Sequence, residues 1–296
     1  MEGRSEMDGW FETYRGAVNA TDCDVNEHMN VASYLSRAAM ADRVLFSRLG
    51  LTSAQPGVGP EMRVKRVAVQ FTEEFRSGDV LHIESAVTGI ELDRLSVRHL
   101  IRNSSAGTVT TTIDETVQLA VSADAGGSTL RAEQLSDSIA TIAAQPELLK
   151  VYAEPEGDDG FADSALDIVY PRDLDPAGWA SSGYLVSKFS DATLQTLASI
   201  GVTRELRESR GYSFSTFEFQ LAYGARLQVG AQLRIRSAIR HVGRSSVRIL
   251  HRMSDGETGR TVAELSQFGV CLDLASRRST PLPDDVRRST ERRLVA

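Results

Sequence analysis

The feature that most constrains the fold of this 296-residue chain is an internal repeat. The segment RLSVRHLIR at 94–102 matches RSSVRILHR at 244–252 in six of nine positions, 150 residues further on. Two more pairs recur in the same order, DCDVNEHMNVASYL (22–35) with DLDPAGWASSGYL (173–185) and ETVQLAVSAD (115–124) with ELSQFGVCLD (264–273). Three ordered matches at nearly constant spacing predict one domain fold that occurs twice.

Both halves show the same order of hydrophobic patterns. After an Asp-rich loop, apolar residues recur at three- and four-residue spacing, which is typical of an amphipathic helix, and the two helices are predicted to end at Gly50 and Gly201. Alternating runs rich in Val, Ile and Thr then predict antiparallel strands. One strand places Leu95, Val97, His99 and Ile101 on the same face. We therefore predict an α+β fold in which a curved antiparallel sheet wraps around one long helix in each half.

The repeat also suggests domain boundaries. We predict an N-terminal domain at 1–150, a linker at 151–164 and a C-terminal domain at 165–296. The linker contains EPEGDDG, whose Pro, Gly and acidic residues are typical of an exposed connection. The residues just before it are predicted to form a packing helix.

Composition excludes several classes of protein. No apolar run approaches the roughly 18 residues that a bilayer span needs, and the acidic N-terminus shows no secretory signal, so we expect a cytoplasmic protein with no membrane partner. The net charge of −7 argues against a nucleic-acid partner. Only Cys23 and Cys271 are present, too few for a disulfide framework.

The loop at 22–30 concentrates the residues that are suited to chemistry. Asp24 and His28 lie just before the predicted helix, where the unpaired amides of Asn30 or Val31 and the helix dipole can polarise a carbonyl oxygen. A carboxylate placed there can activate water or attack an acyl group directly. The alternative is that Asp24 or Asn30 is no more than a helix N-cap, and that His28 is structural.

Other acidic residues lie in or near this loop. Asp22 is expected to organise the loop, while Glu61, Glu73 and Glu74 cannot be separated as further catalytic acids. A metal is not expected here, because one histidine beside carboxylates lacks the second or third nitrogen or sulfur ligand that zinc prefers. No other cofactor is implied. Because His28 precedes the first full helical turn, we expect its side chain to bury little surface.

The stretch D-x-N-x-H-M-N followed by Tyr-Leu resembles the hotdog-fold thioesterases, which include 4-hydroxybenzoyl-CoA thioesterase-like proteins and acyl-carrier-protein thioesterases. The resemblance covers most of both halves and implies a tandem double hotdog. It implies that Asp24 is the base or nucleophile, that Asn26 orients it, and that His28 supports the water or the thioester. Many relatives have Gly where this chain has Glu27, a departure that bears on the substrate class.

The second half keeps only part of this motif. Asp173 and Asp175 are retained, but Ala177 stands in place of Asn26 and Trp179 in place of His28. Asp175 is therefore the candidate for a second site, against the alternative that one half keeps the chemistry. Phenylalanines in YSFSTFEF (212–219) either line a pocket wall or fill the core.

The resemblance implies an acyl-CoA or acyl-carrier-protein substrate, with Arg63, Lys65 and Arg66 either meeting CoA phosphates or simply forming surface. Two other functions stay open. One is an enoyl-CoA hydratase or dehydratase on the same fold, whose motif spaces Asp and His by five residues rather than four and includes a Pro. The other is a non-catalytic acyl-thioester binding protein. Assembly of double-hotdog chains into a homo-oligomer is also left open.

Overall fold

A computed structural model describes residues 9–51, 61–91, 94–120, 157, 159–174 and 179–295. The chain divides into two compact units, Met1–Lys150 and Val151–Ala296. Within the described parts, no helix is both long and apolar enough to cross a membrane. The helix predicted before the linker lies outside the described residues. Strand β6 begins at Ala162, so the last three residues of the predicted linker are in a strand, and the domain boundaries otherwise stay a prediction.

The first unit is a five-stranded antiparallel sheet with one long helix. Its strands pair in the order β1-β3-β4-β5-β2, and helix α1 packs against β1 and β3. The elements are β1 (Phe11–Ala17), α1 (Val31–Arg48), β2 (Glu61–Phe71), β3 (Val80–Glu91), β4 (Arg94–Asn103) and β5 (Val109–Ala120).

The second unit repeats this arrangement and adds two short helices. Its strands pair in the order β7-β10-β9-β8-β6, and β11 pairs with β10. The elements are β6 (Ala162–Ile168), α2 (Ser182–Ser199), α3 (Arg204–Arg210), β7 (Tyr212–Tyr223), β8 (Gln232–Val242), β9 (Ser246–Asp255), β10 (Thr261–Asp273), β11 (Arg278–Ser279) and α4 (Asp284–Glu291).

The predicted hydrophobic patterns are confirmed. Helix α1 buries one stripe that includes Leu35, Ala38 and Leu45, and strand β4 buries Leu95, Val97, His99 and Ile101 as predicted. Both helices end at the predicted glycines. Gly50 and Gly201 have positive φ, which glycine adopts without a steric penalty. In the first unit the end of α1 packs onto strands β3, β4 and β5 in an apolar cluster.

The structural alignment of the two units differs in register from the sequence match. Strand β3 hydrogen-bonds to β4 through Ser85 and His99, and β8 hydrogen-bonds to β9 through Ser237 and His251. The equivalent histidines are therefore 152 residues apart (251 minus 99), not 150. Strands β4 and β9 have the same order of buried positions at this spacing. The duplication is confirmed, but its best sequence match lies two residues out of register.

Candidate active site

The loop before α1 is a tight hairpin. Cys23 and Met29 pair across it as an isolated bridge, and the Asp24 N–H donates to the His28 carbonyl oxygen at 2.9 Å. The Met29 N–H donates to the Phe75 carbonyl oxygen at 2.8 Å, and His28 pairs with Arg76 as a bridge. Residues 23–29 are thus fastened to the segment between β2 and β3, which places side chains of the two segments next to each other.

Asp22 organises this loop, as predicted. Its Oδ2 accepts hydrogen bonds from the Asn19 N–H and from the Arg37 guanidinium, both at 2.8 Å. Its carbonyl oxygen accepts the Asn30 N–H at 2.8 Å. Desolvation acts to raise the pKa of Asp22, but the hydrogen bonds from Asn19 and Arg37 outweigh it and hold this pKa below its ordinary value. Asp22 is therefore fully engaged in holding the start of the helix.

Asp24 is held on one side and faces His28 on the other. Its Oδ1 accepts the backbone N–H of Asn26 at 2.8 Å, which fixes the carboxylate in an Asx turn. Its Oδ2 lies 3.4 Å from His28 Nδ1. The hydrogen bond from Asn26 to Asp24 is thus made by the main chain of Asn26. Asp24 keeps 32% of its side-chain surface exposed, so its carboxylate is accessible to solvent.

His28 lies between two carboxylates. Its Nδ1 faces Asp24, and its Nε2 lies 3.5 Å from Glu74 Oε1. The imidazole is only 11% exposed. The expectation that His28 buries little surface is therefore wrong, because the segment around Phe75 covers it.

The structure separates two of the three acids that the sequence left equivalent. Glu74 faces His28, whereas the Oε2 of Glu73 accepts a hydrogen bond from the Thr108 hydroxyl at 3.0 Å. The side chain of Glu61 lies outside the described residues. No local pattern distinguishes Glu74 from Glu73, because the difference depends on the long-range pairing of Met29 with Phe75.

The two predicted oxyanion donors at the start of α1 differ in their hydrogen bonds. Asn30 is the N-cap, and its Oδ1 accepts the Ser33 N–H at 2.9 Å. Its own N–H already donates to Asp22, which removes Asn30 as an oxyanion donor. The N–H of Val31, at the first helical position, hydrogen-bonds to none of the described residues. Of the two predicted oxyanion donors, only Val31 therefore remains a candidate. Asn30 acts as a helix N-cap, which was the alternative interpretation of this residue.

Glu27 has a backbone conformation that favours glycine. Its φ is 64°, in the left-handed region, and its N–H closes a turn onto the Asp24 carbonyl oxygen at 3.0 Å. This backbone conformation explains why many relatives have glycine here. Having Glu at position 27 therefore affects the conformation of the loop, in addition to the predicted effect on substrate class.

The second unit has the same loop scaffold with different side chains. The bridge Leu174–Ala180 repeats that of Cys23 and Met29, and Ser181 caps α2 through the Tyr184 N–H as Asn30 caps α1. Asp175 lies outside the described residues, so a second site there stays a prediction. Trp179 occupies the position of His28, and the Arg226 guanidinium lies 4.6 Å from the centre of its ring.

Arg226 also corresponds to Glu74. The Gly78 N–H donates to the Val18 carbonyl oxygen, and the Gly230 N–H donates to the Val169 carbonyl oxygen in the same way. The segments that contain Glu74 and Arg226 are therefore equivalent at a spacing of 152 residues (230 minus 78). The second unit therefore has a cation over an aromatic ring where the first has a histidine between carboxylates. Among the other residues considered from sequence, Phe219 is buried in the core and Phe217 is exposed.

The model of the Thioesterase-like superfamily matches residues 18–141 and 169–289, once in each unit. A search of curated proteins gives no significant match. Among solved structures, an acyl-ACP thioesterase from Bacteroides thetaiotaomicron has a TM-score of 0.66 at 13% identity, covering 90% of this chain and 100% of that one. The 12:0-ACP thioesterase from Umbellularia californica has a TM-score of 0.66 at 12% identity, covering 88% and 94%. The chain belongs to the Thioesterase-like superfamily, and its two units form the double hotdog predicted from the repeat.

Proposed function

We propose that this protein hydrolyses an acyl thioester of CoA or of acyl carrier protein, using the site at the start of α1 in the first unit. The observation that carries the proposal is the position of His28 between Asp24 and Glu74, beside the first turn of the helix. The fold neighbours that act on acyl carrier protein support the carrier-protein substrate, and family membership supports thioester chemistry.

Each residue has a role in the proposed reaction. The Val31 N–H and the helix dipole stabilise the oxyanion that forms when the thioester carbonyl is attacked. Asp24 takes the proton of the attacking water, or attacks the carbonyl itself and is released by water afterwards. If Asp24 is the base, the carbon–sulfur bond then breaks and the proton that Asp24 took from water passes to the departing thiolate. If Asp24 is the nucleophile, the carbon–sulfur bond breaks as the anhydride forms, and the water that hydrolyses the anhydride supplies the proton that the thiolate takes up. In the reaction His28 hydrogen-bonds to Asp24 Oδ2, which lies 3.4 Å from its Nδ1 in the structure, and its Nε2 faces Glu74 at 3.5 Å with no hydrogen bond among the described residues.

The assay is thiol release by the full chain from a panel of acyl-CoAs and acyl carrier proteins, with chain lengths from acetyl to oleoyl and one aromatic acyl group. Loss of the enoyl absorbance of crotonyl-CoA is measured in parallel. Thiol release with at least one substrate is expected. Hydration of crotonyl-CoA without thiol release would support the hydratase, and binding without either reaction would support the non-catalytic protein.

His28→Gln tests the site itself. Glutamine retains much of the volume of the buried ring but cannot transfer a proton, so we expect the catalytic rate to fall by roughly 10² to 10⁴. The folded fraction of each sample is measured by circular dichroism, because His28 is buried and its replacement also affects stability. Normal turnover per folded molecule would remove His28 from the mechanism.

The two possible roles of Asp24 are distinguished by a single turnover in water that carries a heavy oxygen isotope. If Asp24 is the nucleophile and water attacks its carbonyl carbon, the label enters Asp24 and the first product is unlabelled. If Asp24 is a base, the label appears in the acid product. Mass spectrometry of the product and of the peptide that contains Asp24 separates these results.

A further inference from the structure

A second group of ionisable side chains is buried in the first unit, away from the motif loop. Asp42 on α1, His99 on β4 and Glu115 on β5 are 6%, 0% and 3% exposed. One ligand atom from each lies within 4.8 Å of the others. Among the described residues, neither Asp42 nor Glu115 forms an ion pair with lysine or arginine. Two carboxyl groups at such depth require a compensating positive charge or protons.

The hydrogen bonds behind His99 determine which of its nitrogens faces the cluster as an acceptor. The Thr13 hydroxyl donates to the Ile83 carbonyl oxygen at 3.2 Å, so Thr13 accepts the hydroxyl proton of Ser85 at 2.6 Å. Ser85 Oγ then accepts from His99 Nδ1 at 2.6 Å. Nδ1 therefore carries the ring proton, and Nε2 presents a lone pair to the carboxyl groups.

Three atoms in the cluster have no hydrogen-bond partner in the part of the chain that the structure describes: Asp42 Oδ1, His99 Nε2 and Glu115 Oε2. His99 Nε2 and Asp42 Oδ1 are 3.3 Å apart. Two ligand atoms each about 2.1 Å from a tetrahedral zinc ion lie about 3.4 Å apart, so this pair already has the required separation. An imidazole whose other nitrogen is fixed by a hydrogen bond is the usual arrangement of a histidine ligand.

The second unit contains an uncharged version of the same network. His251 Nδ1 and Ser237 Oγ are 2.6 Å apart, and Ser237 and Ser164 hydrogen-bond at 2.7 Å, in the positions of His99, Ser85 and Thr13. In place of Asp42 it has Thr193, whose hydroxyl lies 3.1 Å from His251 Nε2, and in place of Glu115 it has Gln267. Burial lowers the pKa of His251 to about 3, so this histidine is neutral at pH 7.

Packing alone therefore does not require acids at these positions. The fold accommodates Thr and Gln around the same histidine, with the Thr193 hydroxyl 3.1 Å from His251 Nε2 and 2.9 Å from Gln267 Oε1. In the first unit the same two positions hold buried carboxyl groups that form no ion pair with lysine or arginine of the described residues, an arrangement that a bound cation would stabilise.

We propose that Asp42, His99 and Glu115 bind a structural zinc ion inside the first unit, with one imidazole nitrogen and two carboxylate oxygens as ligands. A divalent cation neutralises both carboxylates and takes the lone pair of His99 Nε2. The mixed nitrogen and oxygen donor set suits zinc and related first-row divalent ions. Asp42 and Glu115 also hydrogen-bond to each other, so binding of the ion displaces the proton between the two carboxyl groups. The ion links α1 to two strands of the sheet, so it stabilises the unit rather than taking part in the chemistry at Asp24.

The first test measures metal in the untagged full chain, purified from zinc-supplemented cells. We expect about one zinc ion per chain. Stripping the ion with a chelator should lower the melting temperature, and adding zinc back should restore it. Cobalt added to the stripped protein should give the visible absorption of a four-coordinate site that contains nitrogen and oxygen ligands.

The matched variant Asp42→Thr/Glu115→Gln gives the first unit the uncharged network of the second. It should fold, and it should lose both the bound metal and the response of its melting temperature to zinc. Glu74→Gln should keep the metal, which distinguishes the buried cluster from chance binding at Asp24, His28 and Glu74.

Two results would overturn the proposal. One is a wild-type chain that neither contains metal nor changes its melting temperature or absorption when zinc or cobalt is added to it. The carboxyl groups would then be held by shared protons. The other is a metal content that the double variant retains and Glu74→Gln loses, which would place the ion at the motif loop. The first test needs no substitution, so a double variant that fails to fold does not prevent a decision.

Discussion

Glu73 and Glu74 are sequence neighbours with different contacts, and they offer a controlled test of the site. Glu74 lies 3.5 Å from His28 Nε2, whereas Glu73 bonds to Thr108. We expect Glu74→Gln to lower kcat/KM by roughly 10²-fold, because the imidazole loses a carboxylate that can exchange a proton with it. Glu73→Gln changes charge equally and should leave kcat/KM unchanged. Equal effects of the two substitutions on thiol release would show that only the local charge matters.

A second prediction at this scale concerns Glu27. Its positive φ is unfavourable for a residue with a Cβ atom, and glycine removes that penalty at a smaller entropic cost. We expect Glu27→Gly to raise the free energy of unfolding by roughly 0.5–1 kcal/mol. Chemical denaturation measures the change.

Val25 provides the control in the same loop. It is exposed and does not have positive φ, so Val25→Gly should destabilise the protein by roughly 0.5–1 kcal/mol through chain entropy alone. A stabilising effect of both substitutions would mean that glycine acts through the loop in general and not through the conformation of Glu27.

At the scale of elements, the two long helices begin in the same way but only one borders the proposed site. Asn30 caps α1 through Ser33, and Ser181 caps α2 through Tyr184. Replacing either residue by alanine should cost about 1 kcal/mol of stability. Asn30→Ala should also reduce kcat/KM roughly ten- to a hundredfold, because it displaces the Val31 amide, while Ser181→Ala should leave it unchanged.

Denaturation curves and thiol release on both variants decide between two roles for the helix start. If both caps cost stability and neither affects kcat/KM, the first turn of α1 supports the fold and does not stabilise the oxyanion. Catalysis would then depend on the side chains of Asp24, His28 and Glu74 alone.

The elements were predictable from sequence because their signals are local. Apolar periodicity and a following glycine predicted α1 and α2, and alternation predicted which side chains of β4 are buried. Register was not predictable in this way. The match of 94–102 with 244–252 is two residues from the structural equivalence, an even error that keeps each side chain on its face.

The match of Glu115 with Glu264 is a larger error. The structural counterpart of Glu115 is Gln267, so the sequence match is wrong by three residues and places side chains on opposite faces. The buried acids of the first unit were missed for a related reason. Nothing in their types marks Asp42 or Glu115 as buried, and only the fold brings them to His99. Glu74 differs from Glu73 for the same reason, because it faces His28, which lies 46 residues earlier in the sequence.

At the scale of the whole molecule, the duplication gives two copies of one fold with different polar groups. The motif loop has His28 and Glu74 in one unit and Trp179 and Arg226 in the other. The buried network has two acids in the first unit and neutral side chains in the second. In both places the first unit carries the groups that can transfer protons or bind cations. Cytoplasmic location and the oligomeric state stay predictions.

This asymmetry leads to the last prediction, that one of the two equivalent aspartates carries the reaction. Asp24→Asn should lower kcat/KM by roughly 10² to 10⁴, since asparagine cannot act as a base at this position. Asp175→Asn should leave most of the activity. Asp175 itself lies outside the described residues, but the residues that would have to serve it are Trp179 and Arg226, and neither a ring-stacked guanidinium nor an indole takes a proton from water at neutral pH. Thiol release by the two variants and by the double variant is compared with wild type. If Asp175→Asn is the more damaging change, the catalytic assignment moves to the second unit, and the histidine between Asp24 and Glu74 becomes part of the structural support of the loop.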